Sequence, residues 1–234
     1  MSETFLDYSY QFNVPGKEPI ELHLKIDSKT TTIQSEEDDE PPFWAALDFK
    51  QCPNCPLNLE QHPICPVAKN LIPLLTVADS LVSYDTVNLI VKTPERTVMA
   101  DTTMQRAISA ILGLIMATSS CPFTEYLKPM ARFHLPLASE QETIYRTTSM
   151  YLLAQYFRNN EGMDFEEGFE GLTDIYANLQ VINRSMADRL RVAIKKDAAV
   201  NAIILLDLLS QAVTWSIEDK LDEIQYLFKS YMDG

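Results

Sequence analysis

Every cysteine in the chain is followed by proline: Cys52-Pro53, Cys55-Pro56, Cys65-Pro66 and Cys121-Pro122. Proline has no N–H and a φ fixed near that of a helix, so it suits the first helical position. The residue before it is pushed out of the α region. Each pair therefore marks a place where extended chain turns into something else, with a sulfur at the joint. A sulfur at a helix start meets unpaired N–H groups and a partial positive charge, which favour its thiolate. The pairs at 65 and 121 predict helix starts near residues 66 and 122, aimed so that their sulfurs converge on the Cys52–Cys55 turn.

The rest of the chain divides at about residue 100. Phe5 to Asn13 and Ile20 to Ile26 alternate polar and apolar residues around Val14-Pro15-Gly16, the pattern of a β-hairpin. A third short strand is predicted at Thr30 to Ile33, then the acidic run Glu36-Glu37-Asp38-Asp39-Glu40 as part of a loop over 36–42. Adjacent carboxylates lack the alternating spacing of a calcium loop, so the run reads as solvated linker. A helix from Pro66 to about Leu81, kinked at Pro73, and strands at Val87 to Val91 and Thr97 to Ala100 complete this α/β part, 1–100.

Residues 101–234 read as helix after helix. Thr102 and Gln105 form a capping box for a helix to about Ala117 that is apolar on every face and so belongs at the centre. Ser139 and Glu142 form a second box, opening a helix to about Arg158. Residues 162–171 break the pattern. Leu172, Ile175, Tyr176, Leu179, Ile182, Met186 and Leu190 mark one face of the next helix, and two more follow near Ala198–Thr214 and Ile217–Met232. The expected fold is α+β: a single domain over 1–234, predominantly a helical bundle with a small N-terminal antiparallel sheet.

Charge and composition exclude several functions. A net charge of −14 disfavours nucleic acid and acidic membrane surfaces. The first fifty residues alone hold 11 acidic and 4 basic side chains. The most apolar run, Ala107 to Ala117, is far shorter than the roughly 20 residues of a membrane span. The N-terminus lacks the pattern of a signal peptide. A cytoplasmic location is therefore expected, where clustered cysteines point to metal or redox chemistry more than to disulfides.

Three readings of the cysteines compete. In the first, Cys52, Cys55, Cys65 and Cys121 form a four-thiolate metal site for an iron–sulfur cluster or zinc. Pro56 stands where zinc-knuckle turns usually carry glycine, which favours iron–sulfur over zinc. In the second, Cys52-Pro-Asn-Cys55 works in thiol–disulfide exchange. In the third, the thiols are inert and buried, and the chain is a scaffold for a protein partner. His62, three residues before Cys65, is a candidate extra ligand that reads better as a surface residue. His134 reads as a structural histidine, and His23 as exposed. Phosphate loops, nucleophile elbows and HExxH patterns are absent, and nothing nominates a catalytic base, so an enzyme is disfavoured.

The segments Phe49-Lys-Gln-Cys-Pro-Asn-Cys-Pro-Leu57 and His62-Pro-Ile-Cys-Pro-Val-Ala68 resemble an uncharacterised family of soluble proteobacterial proteins. So do Thr93-Pro-Glu-Arg-Thr97, Cys121-Pro122 with Lys128-Pro-Met-Ala-Arg-Phe-His-Leu-Pro136, and Ser149-Met-Tyr-Leu-Leu-Ala-Gln-Tyr-Phe157. The resemblance spans most of the chain and implies a bacterial source and one co-linear unit. It brings no activity, ligand or partner with it.

Overall fold

The computed structural model describes residues 4–35, 40–78, 81–193 and 197–233. The predicted hairpin forms as β1 (Phe5–Asn13) and β2 (Ile20–Asp27), joined through Val14-Pro15-Gly16-Lys17. Lys17 N–H donates to Val14 O at 3.1 Å and Gly16 takes φ +76°. Proline followed by a left-handed glycine is what a type II turn demands. Strand β3 (Thr86–Lys92) pairs antiparallel with β1, and β4 (Thr97–Thr103) with β3, for a sheet order β2-β1-β3-β4. Period-two alternation puts Leu6, Tyr8, Tyr10 and Phe12 of β1 on the buried face, beside Val87, Leu89 and Val91 of β3.

No strand forms over Thr30–Ile33; only Ile33 bridges to Ile26. Asp27 Oδ1 accepts from the N–H groups of Lys29 and Thr30 and from the Thr30 hydroxyl. That side-chain turn competes with extended backbone and wins. The run 36–39 lies outside the described residues.

Helix α1 (Pro66–Ala78) runs through Pro73, which sits on its exposed side. Helix α2 (Met104–Thr118) is buried on nearly every face, as its composition predicts. Its start departs from the predicted capping box, because Thr102 is still in β4. Met104 N–H donates to Asp85 O and Gln105 N–H to Ser83 O, so the loop before β3 satisfies the helix's first donors. After a short helix α3 (Lys128–Arg132), helix α4 (Glu140–Asn160) opens with the predicted reciprocal box: Glu142 N–H to Ser139 Oγ, and Ser139 N–H to Glu142 Oε2. Helix α5 (Glu170–Ala193) buries six of the seven predicted face residues, with Ile175 partly covered. The two helices predicted beyond it are one, α6 (Ala198–Asp222), since nothing in Thr214–Ile217 breaks a helix. It packs against α5 and α2. A 3-10 turn (Gln225–Phe228) and α7 (Lys229–Met232) close the chain. Among the described residues no helix is long and apolar enough to cross a membrane.

Candidate functional site

The loop carrying the first three cysteines is clamped at its ends. Leu47 N–H donates to Pro63 O and Cys65 N–H to Ala45 O, both at 2.9 Å, so residues 46–64 leave and return at one point. Inside it, Cys55 N–H donates to Cys52 O at 2.9 Å and closes a four-residue turn with Pro53 at its second position. Cys65 sits before the first residue of α1 and its carbonyl accepts from Lys69 N–H, as the Cys65-Pro66 pair predicts.

Cys121 behaves differently. Helix α2 ends at Thr118, and Ser120 adopts φ +67°, a left-handed conformation that turns the chain back. The Cys121 carbonyl accepts from the N–H groups of Thr124 and Glu125, but no helix begins at Pro122. A turn leads into a 3-10 segment, Glu125–Leu127, before α3. The N–H groups of Phe123 and Thr124 favour the charged form of the Cys121 sulfur, while the Thr124 hydroxyl donates to Met116 O at 2.6 Å.

The Cys52-Pro-Asn-Cys55 turn docks on α5 along one stripe. Asn54 Nδ2 donates to Asn178 Oδ1 at 2.8 Å, Ser185 hydrogen-bonds the Cys52 thiol, and Arg189 follows four residues on. Arg189 is 1% exposed. Its Nη1 donates to Trp44 O at 2.5 Å and to Ala46 O at 2.6 Å, and its guanidinium lies 5.8 Å from the Phe49 ring centre. One buried arginine thus holds the loop's entry to the helix.

Burial governs the acidity of Cys52 and Cys121. Burial pushes the Cys52 thiol up to about 11, and the charges of Cys65, Cys121 and Cys55 add to the rise. Burial also raises Cys121, against the Phe123 and Thr124 N–H groups, and Cys65 contributes to the rise. The expectation that these joints favour thiolates is therefore reversed at Cys52 and Cys121. Burial pulls Arg189 down from its ordinary value, while Cys65, Cys52, Asp48 and Cys55 hold it up. Two polar atoms at the site, Arg189 Nε and Asn54 Oδ1, are buried without a hydrogen-bond partner. Groups so placed are uncommon in native structures.

All four cysteines are unbridged. Among the described residues, no three His, Cys, Asp or Glu side chains are disposed to hold one metal ion. The histidines stand apart. His62 is exposed in the loop, and His23 is exposed beside Glu21 at 3.6 Å. His134 hydrogen-bonds the Tyr10 hydroxyl through Nε2, and burial, with Arg146 nearby, lowers its pKa to about 3. It is a neutral structural histidine.

Sequence reasoning missed Asn178, Ser185 and Arg189. Their spacing places them along one side of α5, next to the apolar stripe, but nothing local in the sequence marks Arg189 as buried. No curated protein and no solved structure matches this chain. A family model described as a domain of unknown function (DUF6901) matches residues 6–229, nearly the whole chain, and the chain belongs to that family.

Proposed function

We propose that the chain is a non-catalytic metal-binding regulatory protein of the bacterial cytoplasm. Cys52, Cys55, Cys65 and Cys121 hold an iron–sulfur cluster, and the protein responds to iron or oxidants. The observation that carries this reading is that Cys52 and Cys121, both unbridged and largely buried, each feel the charge of Cys65, beside a buried, incompletely partnered arginine. Four sulfurs are the donor set of such clusters. The Phe123 and Thr124 N–H groups and the Ser185 hydroxyl already donate toward sulfur, the outer contacts that tune such centres. Arg189 supplies a cation next to what would be an anionic centre.

Pro56, standing where zinc-knuckle turns usually carry glycine, favours a cluster over zinc. A bound cluster would supply one-electron redox chemistry and oxidant-sensitive bonds. The thiol–disulfide alternative needs an accessible thiolate, and a Cys52 pKa of about 11 weighs against it.

The test is anaerobic purification from iron-replete cells with iron, zinc and acid-labile sulfide assayed per chain. The expected result is a coloured protein carrying iron and sulfide, both lost in a Cys52→Ser, Cys55→Ser variant that keeps its helical circular dichroism. A colourless, metal-free and fully folded wild type overturns the reading.

A further inference from the structure

A second feature lies away from the cysteines. A cavity of about 440 Å³ opens among α2, α4, α5, α6 and the segment 124–140, within the roughly 300–1,000 Å³ span of small-molecule sites. Its α2 wall is the face Ala110, Gly113 and Ala117, one residue per turn with little or no side chain. A Cβ on Gly113 would meet only Leu206 Cδ2, at 3.8 Å, so the missing side chain leaves room rather than relieving a clash. Leu179 and Leu206 also line it, with Leu206 packed against Gly113.

The charged groups on this apolar chamber are unequal. Glu140 is neutralised by Lys220 at 3.0 Å. His134 stays neutral and spends Nε2 on Tyr10. Arg146 is half-buried, and only its Nη2 is used, donating to Met130 O and Phe133 O at 2.9 Å each. Among the described residues it has no ion-pair partner, although the chain carries 33 acidic side chains. Arg106, on the rim and exposed, likewise has none. A partly desolvated guanidinium with spare N–H groups is a fork for a carboxylate.

We propose that this cavity binds a long-chain aliphatic carboxylate, its tail along the Ala110–Gly113–Ala117 face and its head on Arg146. The tail replaces cavity space with dispersion contacts and sheds its own hydration. Glu142, one turn earlier on α4, acts on Arg146 only beyond ion-pair distance, and the head would give the guanidinium a direct partner. Nothing in this site depends on the cysteines.

The delipidated full-length protein is titrated with a naturally fluorescent polyene fatty acid, then with palmitate and methyl palmitate as competitors. Saturable one-to-one binding is expected, with the ester competing about tenfold or more weakly than the acid because it cannot pair with Arg146. Gly113→Leu fills the chamber and should weaken binding at least about tenfold while keeping circular dichroism and melting temperature. Ala110→Leu serves the same purpose should Gly113→Leu fail to fold. No saturable binding, equal competition by acid and ester, or unchanged affinity in a folded cavity-filling variant each overturns the proposal.

Discussion

His134 should make the protein acid-sensitive well above the range in which carboxylates titrate. In the folded chain its pKa is about 3, lowered by burial and then by Arg146. In the unfolded chain it returns to about 6.5. The unfolded state therefore binds a proton between those values while the folded state does not, so stability falls as pH drops through 6.5. The slope is about 1.4 kcal/mol per pH unit for a single group. From pH 6.5 to pH 5 that is about 2 kcal/mol, and the loss levels off below about pH 3, where the folded ring protonates too. The ring keeps some contact with solvent, and screening trims the pH 5 figure to about 1–2 kcal/mol.

The assay is urea unfolding at pH 7.5 and pH 5, followed by circular dichroism, for wild type and His134→Gln. Glutamine can still hydrogen-bond the Tyr10 hydroxyl but does not titrate. Asp27, Glu95, Glu142 and Glu166 have lowered pKa values, so they stay ionised in this window and leave the difference to His134. Wild type should lose about 1–2 kcal/mol more than the variant on going to pH 5. Equal losses in the two proteins refute the assignment of His134 as a buried neutral base.

Arg189→Met removes two short, charge-assisted bonds and leaves the Trp44 and Ala46 carbonyls without them. The loss should be about 3 kcal/mol, after allowing for the relief of a buried charge and for packing that Met retains. Trp44 emission in urea titrations reads it, and a change below about 1 kcal/mol contradicts the latch. Gly171→Ala should destabilise by about 1 kcal/mol although alanine is the better helix former. Its Cβ would clash with the Tyr151 hydroxyl, which bonds Glu166, so a thermal shift upward would show that Tyr151 moves freely. Ser139→Ala should cost about 1 kcal/mol by removing the capping box of α4, read as a lower melting temperature.

Elements whose signal is local were legible in the sequence. Alternation marked β1 and β2, the Pro15-Gly16 pair marked their turn, and Ser139 with Glu142 marked the start of α4 because both partners lie within one helical turn. The errors arise where distant chain supplies the missing hydrogen bonds. Thr102 and Gln105 look like a capping box, but carbonyls of Ser83 and Asp85 take that role and free Thr102 for the sheet. Pro122 looks like a helix start, but Ser120 has turned the chain sharply and a turn follows. At the candidate site the helix start after Cys65 was legible from its Cys-Pro joint, whereas the different course after Cys121 and the role of Arg189 were not. Arg189 lies 145 positions from Trp44, whose carbonyl it binds, and only tertiary packing relates the two.

The thiol environment shows which of two opposing effects wins. No helix begins at Cys52, and even a helix end would be worth only about 0.3–1 kcal/mol to a charge, less than one pKa unit. The Cys52 rise from 9.0 to about 11 corresponds to about 2.7 kcal/mol in the other direction. Burial dominates, so without a metal Cys52 is a neutral thiol and Arg189 finds no full negative charge in it. This separates two roles for Arg189, the latch on the Trp44 and Ala46 carbonyls and the counter-ion for sulfur. Combining Arg189→Met with Cys52→Ser, Cys55→Ser in a double-mutant cycle distinguishes them. Were Arg189 only a latch, the changes would add to within about 0.5 kcal/mol whether the protein carries metal or not. As counter-ion to a metal-bound sulfur centre, it should couple to the cysteines by about 1–2 kcal/mol under metal-replete conditions, where only the proteins with both cysteines are loaded, and lose that coupling once the metal is stripped from them.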